Sequence, residues 1–326
     1  MNAIGGYFEL EIGCANNGIH ENAALALKSG RACLRVLCQQ FSPSRVWIPY
    51  YCCDAVLEPL KQQNVEFCFY SIDDSFEIAN NDQTVTQNEC ILYVNYFGLK
   101  GDYAQELQEK YGSRLWVDNT HAFFNNEPSA ISCRFNSARK FFGVPDGAYL
   151  YFPIDVSAPA ANSWPRHRDY RFEHLILRHQ GKIDEGYAVF QHNEQQLGGK
   201  VERISAISEK ILRRVNYDDV AAKRRENFTF LHTALSQSNK LSDHISRIED
   251  KVPLCYPYLP DRPMERTYFW KHKVFVPTFW RECLSRVDDG FQWEKQLSSD
   301  LLPLPIDQRY GTAEMERIVE VINSYE

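Results

Sequence analysis

Between residues 45 and 152 the chain alternates short runs of β-branched and aromatic residues with segments of helical periodicity. The apolar runs are bounded by turn or helix signals, as buried strands are. They cover residues 45–49, 65–70, 90–94, 114–118, 131–135 and 148–152. This alternation predicts an α/β fold with a mostly parallel central sheet sandwiched by helices.

Helical periodicity predicts helices at residues 54–63 and 103–111, and an earlier one that begins near Gly30 with Ser29 as its N-cap. After Pro153 the pattern becomes mainly helical. The predicted helices there are 166–181, 204–215 and 218–235, followed by extended runs at 256–259 and 268–276 and a last helix at 313–325. We therefore expect a large domain over 15–215 and a smaller C-terminal α/β domain over 216–326.

Composition narrows the class of protein. The 326 residues are 44% hydrophobic and 13% aromatic, which is typical of a folded globular chain. The formal net charge of −7 provides no basic field for nucleic acid or anionic lipid. With neither a signal peptide nor an apolar run of membrane-spanning length, we expect a cytoplasmic protein with no membrane partner.

The ten cysteines are scattered, without a CxxC pair, and several lie in apolar runs. This usage is typical of a reducing compartment, and it predicts neither a disulfide framework nor a metal site.

Polar and aromatic side chains follow the predicted strands where a parallel sheet binds its ligands, beyond the carboxyl ends. Tyr50 and Tyr51 follow the first run, Asn95 follows the third, and Asp118 and His121 follow the fourth. Two aromatic rings, an acid and an imidazole are thus expected to face one crevice.

An anion site and an amine complete this set. Ser29, Gly30 and Arg31 begin a helix whose free N–H groups favour a phosphate. Ser137 and Lys140 lie in a loop between two later strands. A lysine, an acid, a ring-stacking face and a phosphate cradle are together what pyridoxal 5'-phosphate requires.

On these residues the chain resembles the DegT/DnrJ/StrS family of sugar aminotransferases, within the fold type I pyridoxal phosphate enzymes. The resemblance is strongest between residues 24 and 152 and weaker beyond. Its motifs are Ser29-Gly30-Arg31-Ala32, Asp118 with His121, Ser137-x-x-Lys140, Pro145-Asp146-Gly147, Arg203-Ile204-Ser205, Arg224-Arg225-Glu226-Asn227-Phe228 and the stretch from Leu304 to Tyr310.

The resemblance implies a role for each predicted site residue. Lys140 would bind the cofactor aldehyde covalently and shuttle a proton, Asp118 would keep the ring nitrogen protonated, and His121 would bond the 3′ oxygen. Either Tyr50 or Tyr51 would stack on the ring. Asn95 would also contact the cofactor, and the phosphate would be held by Ser29, Gly30, Arg31 and Ser137.

The implied reaction moves an amino group, with glutamate as the donor, to a nucleotide-linked keto sugar for cell-surface polysaccharide or glycan synthesis. The resemblance also implies a homodimer and an N-terminal segment, 1–14, near the substrate entrance. Many family members have Asn where this chain has Val201, reaching the partner's phosphate. This departure leaves open a non-catalytic or regulatory protein of the same fold. A sugar dehydratase is a second alternative, against which Lys140 argues because the dehydratase branch has His at the position of the lysine.

Each candidate residue also has an ordinary structural interpretation. Lys140 alone could be a solvated surface lysine, and Asp118 a turn former at a strand end. Ser29 and Gly30 are also a plain helix start, and Cys52-Cys53 is better explained by packing than by thiol chemistry. The joint occurrence of lysine, acid and phosphate residues favours the catalytic interpretation.

Overall fold

The computed structural model describes residues 4–5, 18–79, 83–125, 132–169 and 171–325. The strands in these residues are β1 (Ile4–Gly5), β2 (Leu25–Leu27), β3 (Arg45–Pro49), β4 (Glu66–Tyr70), β5 (Glu89–Val94), β6 (Leu115–Asn119), β7 (Cys133–Asn136), β8 (Ala148–Tyr151), β9 (Cys255–Tyr258), β10 (Val274–Phe275) and β11 (Leu302–Pro305).

The α-helices of the described residues alternate with the strands in the first half and dominate the second. They are α1 (Gly30–Phe41), α2 (Leu57–Gln62), α3 (Gly101–Tyr111), α4 (Glu173–His179), α5 (Ile183–Leu197), α6 (Ala206–Leu212), α7 (Tyr217–Leu235), α8 (Arg266–Lys271), α9 (Glu282–Ser285), α10 (Gln292–Asp300) and α11 (Thr312–Asn323). None of them combines the length and the hydropathy that crossing a bilayer requires.

Seven strands form the central sheet in the order β2-β8-β7-β6-β5-β3-β4. Neighbours from β4 to β7 are parallel, whereas β8 runs antiparallel to both β7 and β2. The predicted mostly parallel sheet is confirmed. Strands β5 and β6 are buried along their whole length, which explains why they are continuous apolar runs rather than alternating ones.

Helices α1 and α3 hold the sheet in place. Helix α1 packs on β7 and β8 through a face that includes Cys33, Leu34 and Leu37, and α3 packs on β6 through Leu107. Each presents an apolar stripe at helical spacing to the sheet and polar residues to solvent. The sheet core is continuous with the core of the C-terminal part of the chain.

In the C-terminal part β9 pairs antiparallel with β11, and α7 packs on β9 and α11. This arrangement agrees with the smaller unit expected there, although the boundary at residues 215 and 216 stays a prediction. The predicted N-terminal segment 1–14 lies outside the described residues except for β1, which pairs in parallel with β10.

Two of the predicted elements are partly wrong. The helix predicted at 166–181 begins only at Glu173, because Arg166 bridges to Arg203 in extended pairing. The extended run predicted at 268–276 is helical up to Lys271, and only Val274 and Phe275 form a strand. In the first case tertiary pairing overrides local preference.

Candidate active site

The parallel strands β3, β5, β6 and β7 end at the same edge of the sheet. Asp118 on β6 lies between Val94 of β5 and Phe135 of β7 in the register. Asn95 follows β5 and Ser137 follows β7, so the residues expected from the sequence do come to one edge.

The Asp118 carboxylate is buried in this edge. Its Oδ1 accepts a hydrogen bond from the backbone N–H of Thr120 at 2.8 Å. Burial raises the pKa of Asp118 to about 6, although the Thr120 hydrogen bonds and the charge of Lys140 act in the opposite direction. The site therefore holds an acid that is costly to ionise without a cationic partner.

The His121 imidazole is buried, and its Nδ1 atom has no hydrogen-bond partner in the part of the chain that the structure describes. Burial, and then the charge of Lys140, hold its pKa well below the ordinary value, so the ring is neutral. It stacks in parallel on Trp280, with ring centroids 5.3 Å apart and planes 7° apart. An unpaired buried nitrogen is costly, which suggests that a ligand atom bonds to it.

Lys140 ends a short 3₁₀ turn, Ala138–Lys140, which Ser137 precedes. The Ser137 hydroxyl makes no capping bond to this turn. Lys140 is exposed in the single chain, but its charge acts on the pKa values of both Asp118 and His121.

The loop after Lys140 is fixed by two side contacts. The buried Asp146 carboxylate accepts bonds from the Ser205 backbone N–H and hydroxyl, both at 2.6 Å, and from the Ser208 hydroxyl. Gly147 has a φ of +135°, which favours glycine, and its N–H donates to the Lys28 carbonyl at 2.8 Å. The Pro-Asp-Gly motif thus ties the lysine loop to the residue preceding Ser29.

Ser29, Gly30 and Arg31 form the start of helix α1, as predicted. The Ser29 side chain accepts from the Ala32 N–H at 3.2 Å, so it is an N-cap. The Arg31 Nε pairs with Glu58 at 3.2 Å. The helix N-terminus lies beside β7, since a Cβ at Gly30 would contact the Phe135 ring at 3.4 Å.

The two predicted stacking candidates take different positions. The Tyr50 ring stacks on Phe291 at 4.1 Å, and its hydroxyl donates to the carbonyls of Cys283 and Arg286. Tyr51 contacts Trp280 edge-on at 4.4 Å, and its buried hydroxyl has no hydrogen-bond partner among the described residues. Both tyrosine rings therefore pack on the C-terminal part, but only Tyr51 contacts the tryptophan that stacks on His121.

Asn95 is engaged within the protein at both ends of its amide. Its Nδ2 donates to the Asn119 Oδ1 at 3.1 Å, and its Oδ1 accepts from the Lys100 N–H at 2.9 Å. Its predicted contact with the cofactor stays a prediction, and the observed bonds hold the ends of β5 and β6 together.

Two residues at the site have no signal in the sequence. Trp280 covers His121 from the C-terminal part. Glu194 on α5 forms an ion pair with Arg139, the residue before Lys140. Burial alone would raise the pKa of Glu194, but Arg139, followed by the charges of Lys140 and Arg31, keeps it below the ordinary value.

The adjacent cysteines behave as packing residues. Burial raises the pKa of the Cys52 thiol well above its ordinary value and raises that of Cys53 as well. Neither is poised as a thiolate nucleophile, in agreement with the packing interpretation.

This architecture is the aminotransferase fold, a mostly parallel seven-stranded sheet followed by a smaller C-terminal part. One solved structure that shares it is the sugar aminotransferase Spr1654 from Streptococcus pneumoniae in its PMP form, with a TM-score of 0.64 and 13% sequence identity over 93% of this chain and 88% of that one. A DegT DnrJ EryC1 StrS aminotransferase from Brucella abortus has a TM-score of 0.59 and 14% identity over 92% of this chain and 84% of that one. DesI, in the presence of its TDP-sugar product, has a TM-score of 0.62 and 13% identity over 94% of this chain and 85% of that one.

The amino-acid sequence itself matches no protein-family model and no curated protein. At 12–14% identity the similarity to solved structures is one of fold. Function must therefore be argued from the site.

Proposed function

We propose that this protein is a pyridoxal phosphate-dependent aminotransferase of the DegT/DnrJ/StrS type that transfers an amino group to a nucleotide-linked keto sugar. The single observation that carries the proposal is the buried Asp118 carboxyl at the end of β6, at the sheet edge where the turn ending at Lys140 follows β7. Three residues after Asp118, the buried His121 has an Nδ1 atom with no hydrogen-bond partner among the described residues.

The residues of the site fit this cofactor. A buried acid whose pKa is raised gains most from a protonated ring nitrogen, because the partner charge offsets the cost of ionisation. The unpaired His121 Nδ1 fits an oxygen on the ring. When bound, pyridoxal phosphate supplies an aldehyde that exchanges amino groups and a ring that withdraws electrons.

Each residue's part in the chemistry is proposed from its place in the site motifs. The Lys140 amine would bind the cofactor aldehyde and, once released, would move a proton at the substrate carbon through its Nζ. Asp118 would hold a proton on the ring nitrogen, and His121 would orient the ring through the 3′ oxygen. Ser29, Gly30, Arg31 and Ser137 would bind the phosphate at the start of helix α1.

The ring-stacking role falls to Tyr51 rather than Tyr50. Tyr51 contacts Trp280, which in turn stacks on His121, so the rings of all three residues form one aromatic cluster. The Tyr50 ring and hydroxyl are engaged with the C-terminal part. Trp280 is a further residue of the proposed site, where its ring excludes water from the buried side of His121.

The substrate class rests on the fold neighbours and on the resemblance. DesI was crystallised in the presence of a TDP-sugar product, and Spr1654 in a PMP form, which is the amine form of the cofactor. By analogy we propose a nucleotide-linked keto sugar, glutamate as amino donor, a homodimer, a cytoplasmic location and a role in surface polysaccharide synthesis. A large cofactor-binding domain over 15–215 and a small domain over 216–326 are part of the same proposal.

The cofactor is tested by adding pyridoxal phosphate to the purified full chain and recording its visible absorbance. Borohydride reduction followed by peptide mapping should then place the cofactor mass on Lys140. The Lys140→Ala variant should lose both signals, while Lys223→Ala, at an exposed lysine on α7, should keep them. Wild-type protein that takes up no cofactor would support the non-catalytic alternative.

The reaction class is tested on the protein loaded with cofactor. Glutamate should convert the aldehyde spectrum to that of the amine form, and nucleotide-linked keto sugars should reverse it. A dehydratase would bind the cofactor and leave glutamate unconsumed.

A further inference from the structure

The carbonyl next to Lys140 is held from the C-terminal part of the chain. Gln308, in the loop after β11, donates from its Nε2 to the carbonyl oxygen of Phe141 at 2.9 Å. Phe141 directly follows Lys140, and its ring is fully buried. A fixed carbonyl one residue beyond the lysine restricts the backbone torsions that direct the lysine side chain.

Arg224 of helix α7 supports the same contact from the other side. Its guanidinium is fully buried and lies 4.5 Å from the centre of the Phe141 ring. Its Nε donates to the Gln308 Oε1 at 3.2 Å, which orients the amide so that its nitrogen faces Phe141. Arg224 and Gln308 thus form one unit around Phe141.

The same guanidinium is also connected, through backbone hydrogen bonds, to the residues that pack beside His121. Arg224 donates from Nη1 to the carbonyls of Pro253 and Leu254 at 3.2 and 3.1 Å. The Leu254 N–H donates in turn to the Phe97 carbonyl at 2.8 Å. Phe97 has a φ of +57°, and its ring lies 6.0 Å from that of His121. One buried cation is therefore connected to both sides of the site.

The loop that carries Gln308 is itself clamped. Asn227, one helical turn after Arg224, donates to the carbonyls of Ile306 and Tyr310 at 3.2 and 3.0 Å. Asp307 pairs with Arg309 at 2.7 Å, and its pKa is kept low by Arg309 and by Arg224 despite burial. The two C-terminal motifs noted in the sequence therefore pack on each other and on the lysine loop.

We propose that Gln308, oriented by Arg224, is a positioning residue that fixes the backbone at Phe141 and thereby aims the Lys140 amine. The inference rests on the proposed function, since it assigns Lys140 the covalent role. It gives a role to the buried Arg224 cation, whose Nε and Nη1 bonds are directed to Gln308 and to the carbonyls of residues 253 and 254.

Two variants of Gln308 separate its contacts. Gln308→Glu keeps an acceptor toward Arg224 and loses the donor to Phe141, and Gln308→Met loses both. Asn239→Ala is the structural control, because Asn239 is another side-chain amide of the C-terminal part that bonds backbone groups at both ends, the Pro257 carbonyl and the Leu241 N–H. Among the described residues, the side-chain hydrogen bonds of Asn239 go to residues 241, 256, 257 and 259, all outside the lysine loop.

The first readout is hydrogen exchange on the cofactor-free full chain. The N–H groups of Phe141 and Phe142 both donate to the Ala138 carbonyl, so their exchange reports the order of the lysine turn. Both Gln308 variants should exchange these amides about tenfold faster than wild type, the factor expected when a buried carbonyl loses its partner. Asn239→Ala should leave them unchanged relative to its own global stability.

The second readout is kinetic, on protein loaded with pyridoxal phosphate. If the variants lose the correct orientation of the Lys140 amine, kcat falls about tenfold in both Gln308 variants, while KM for the amino donor stays the same. Wild-type exchange at Phe141 in Gln308→Met, or equal loss in Asn239→Ala, would overturn the positioning role. Failure of the wild type to bind the cofactor would refute the proposed function. The exchange readout uses the cofactor-free chain, so it would still show whether Gln308 orders the lysine turn.

Discussion

The buried Asp118 carboxylate accepts a hydrogen bond from the backbone N–H of Thr120 at 2.8 Å, and it still has a pKa raised to about 6. Desolvation therefore exceeds the stabilisation that the hydrogen bonds provide to the charged form. Without a cationic ring nitrogen, ionised Asp118 lowers the stability of the fold, which is the expected cost of a site prepared for a ligand.

This cost has a defined pH dependence. The folded-state pKa of about 6 lies above the ordinary 3.8. The free energy of unfolding is therefore highest below pH 3.8, falls as the pH rises from 3.8 through 6, and is constant above that range. Asp118→Asn removes this loss. We expect the variant to increase the free energy of unfolding of the cofactor-free protein by up to about 3 kcal/mol above pH 7.

Urea denaturation between pH 4.5 and 8 measures the effect, with Asp218→Asn at an exposed position of α7 as the control. The advantage of Asp118→Asn should grow up to about pH 6 and then stay constant. A variant that is less stable than wild type at pH 8 would show that the carboxylate already has a cationic partner in the empty site.

His121 allows a second separation of stability from binding. Its Nδ1 is buried and unpaired, whereas its ring packs on Trp280. His121→Phe keeps an aromatic ring and removes the unsatisfied nitrogen, so we expect the cofactor-free protein to gain about 1 kcal/mol. Because the bond to the ring oxygen is lost, affinity for pyridoxal phosphate should fall about tenfold.

Denaturation and cofactor titration of the same preparation measure both quantities. If His121→Phe loses stability and keeps its affinity, the imidazole has a structural role and does not contact the cofactor.

The sheet was predictable from the sequence because each strand is a short local signal. Strand β3 was predicted with its observed bounds, and β5 and β6 within one residue at each end, since they are buried apolar runs between turns. The run at 268–276 was wrong in its first half. Its aromatic residues favour strands, but residues up to Lys271 belong to helix α8, which buries Phe269 in the core.

Candidate site residues that are far apart in the chain were predictable because a strand end is a local signal. Asp118 lies at the end of one strand, and Ser137 directly follows the next. Trp280 and Glu194 reach the site through long-range packing of the C-terminal part and of α5, which no local pattern reports. The sequence could not separate Tyr50 from Tyr51 as the proposed stacking residue for the same reason, because their contacts with Phe291 and Trp280 are long-range.

Glu194 introduces a negative charge where the phosphate is proposed to bind. Its carboxylate pairs with Arg139, and the charges of Lys140 and Arg31 also keep its pKa low. A phosphate dianion held by the same cations would be repelled by this carboxylate. Glu194→Gln keeps the size of the side chain and removes the charge.

We expect Glu194→Gln to bind pyridoxal phosphate and inorganic phosphate about threefold to tenfold more tightly than wild type, a modest factor because the ion pair is partly solvated. Calorimetric titration at two salt concentrations measures it, and the gain should shrink at high salt. Glu185→Gln, on the same helix but more exposed, is the matched control. Weaker binding in Glu194→Gln would instead mean that Glu194 orients Arg139 toward the phosphate, because loss of that ion pair would then release the cation from its binding position.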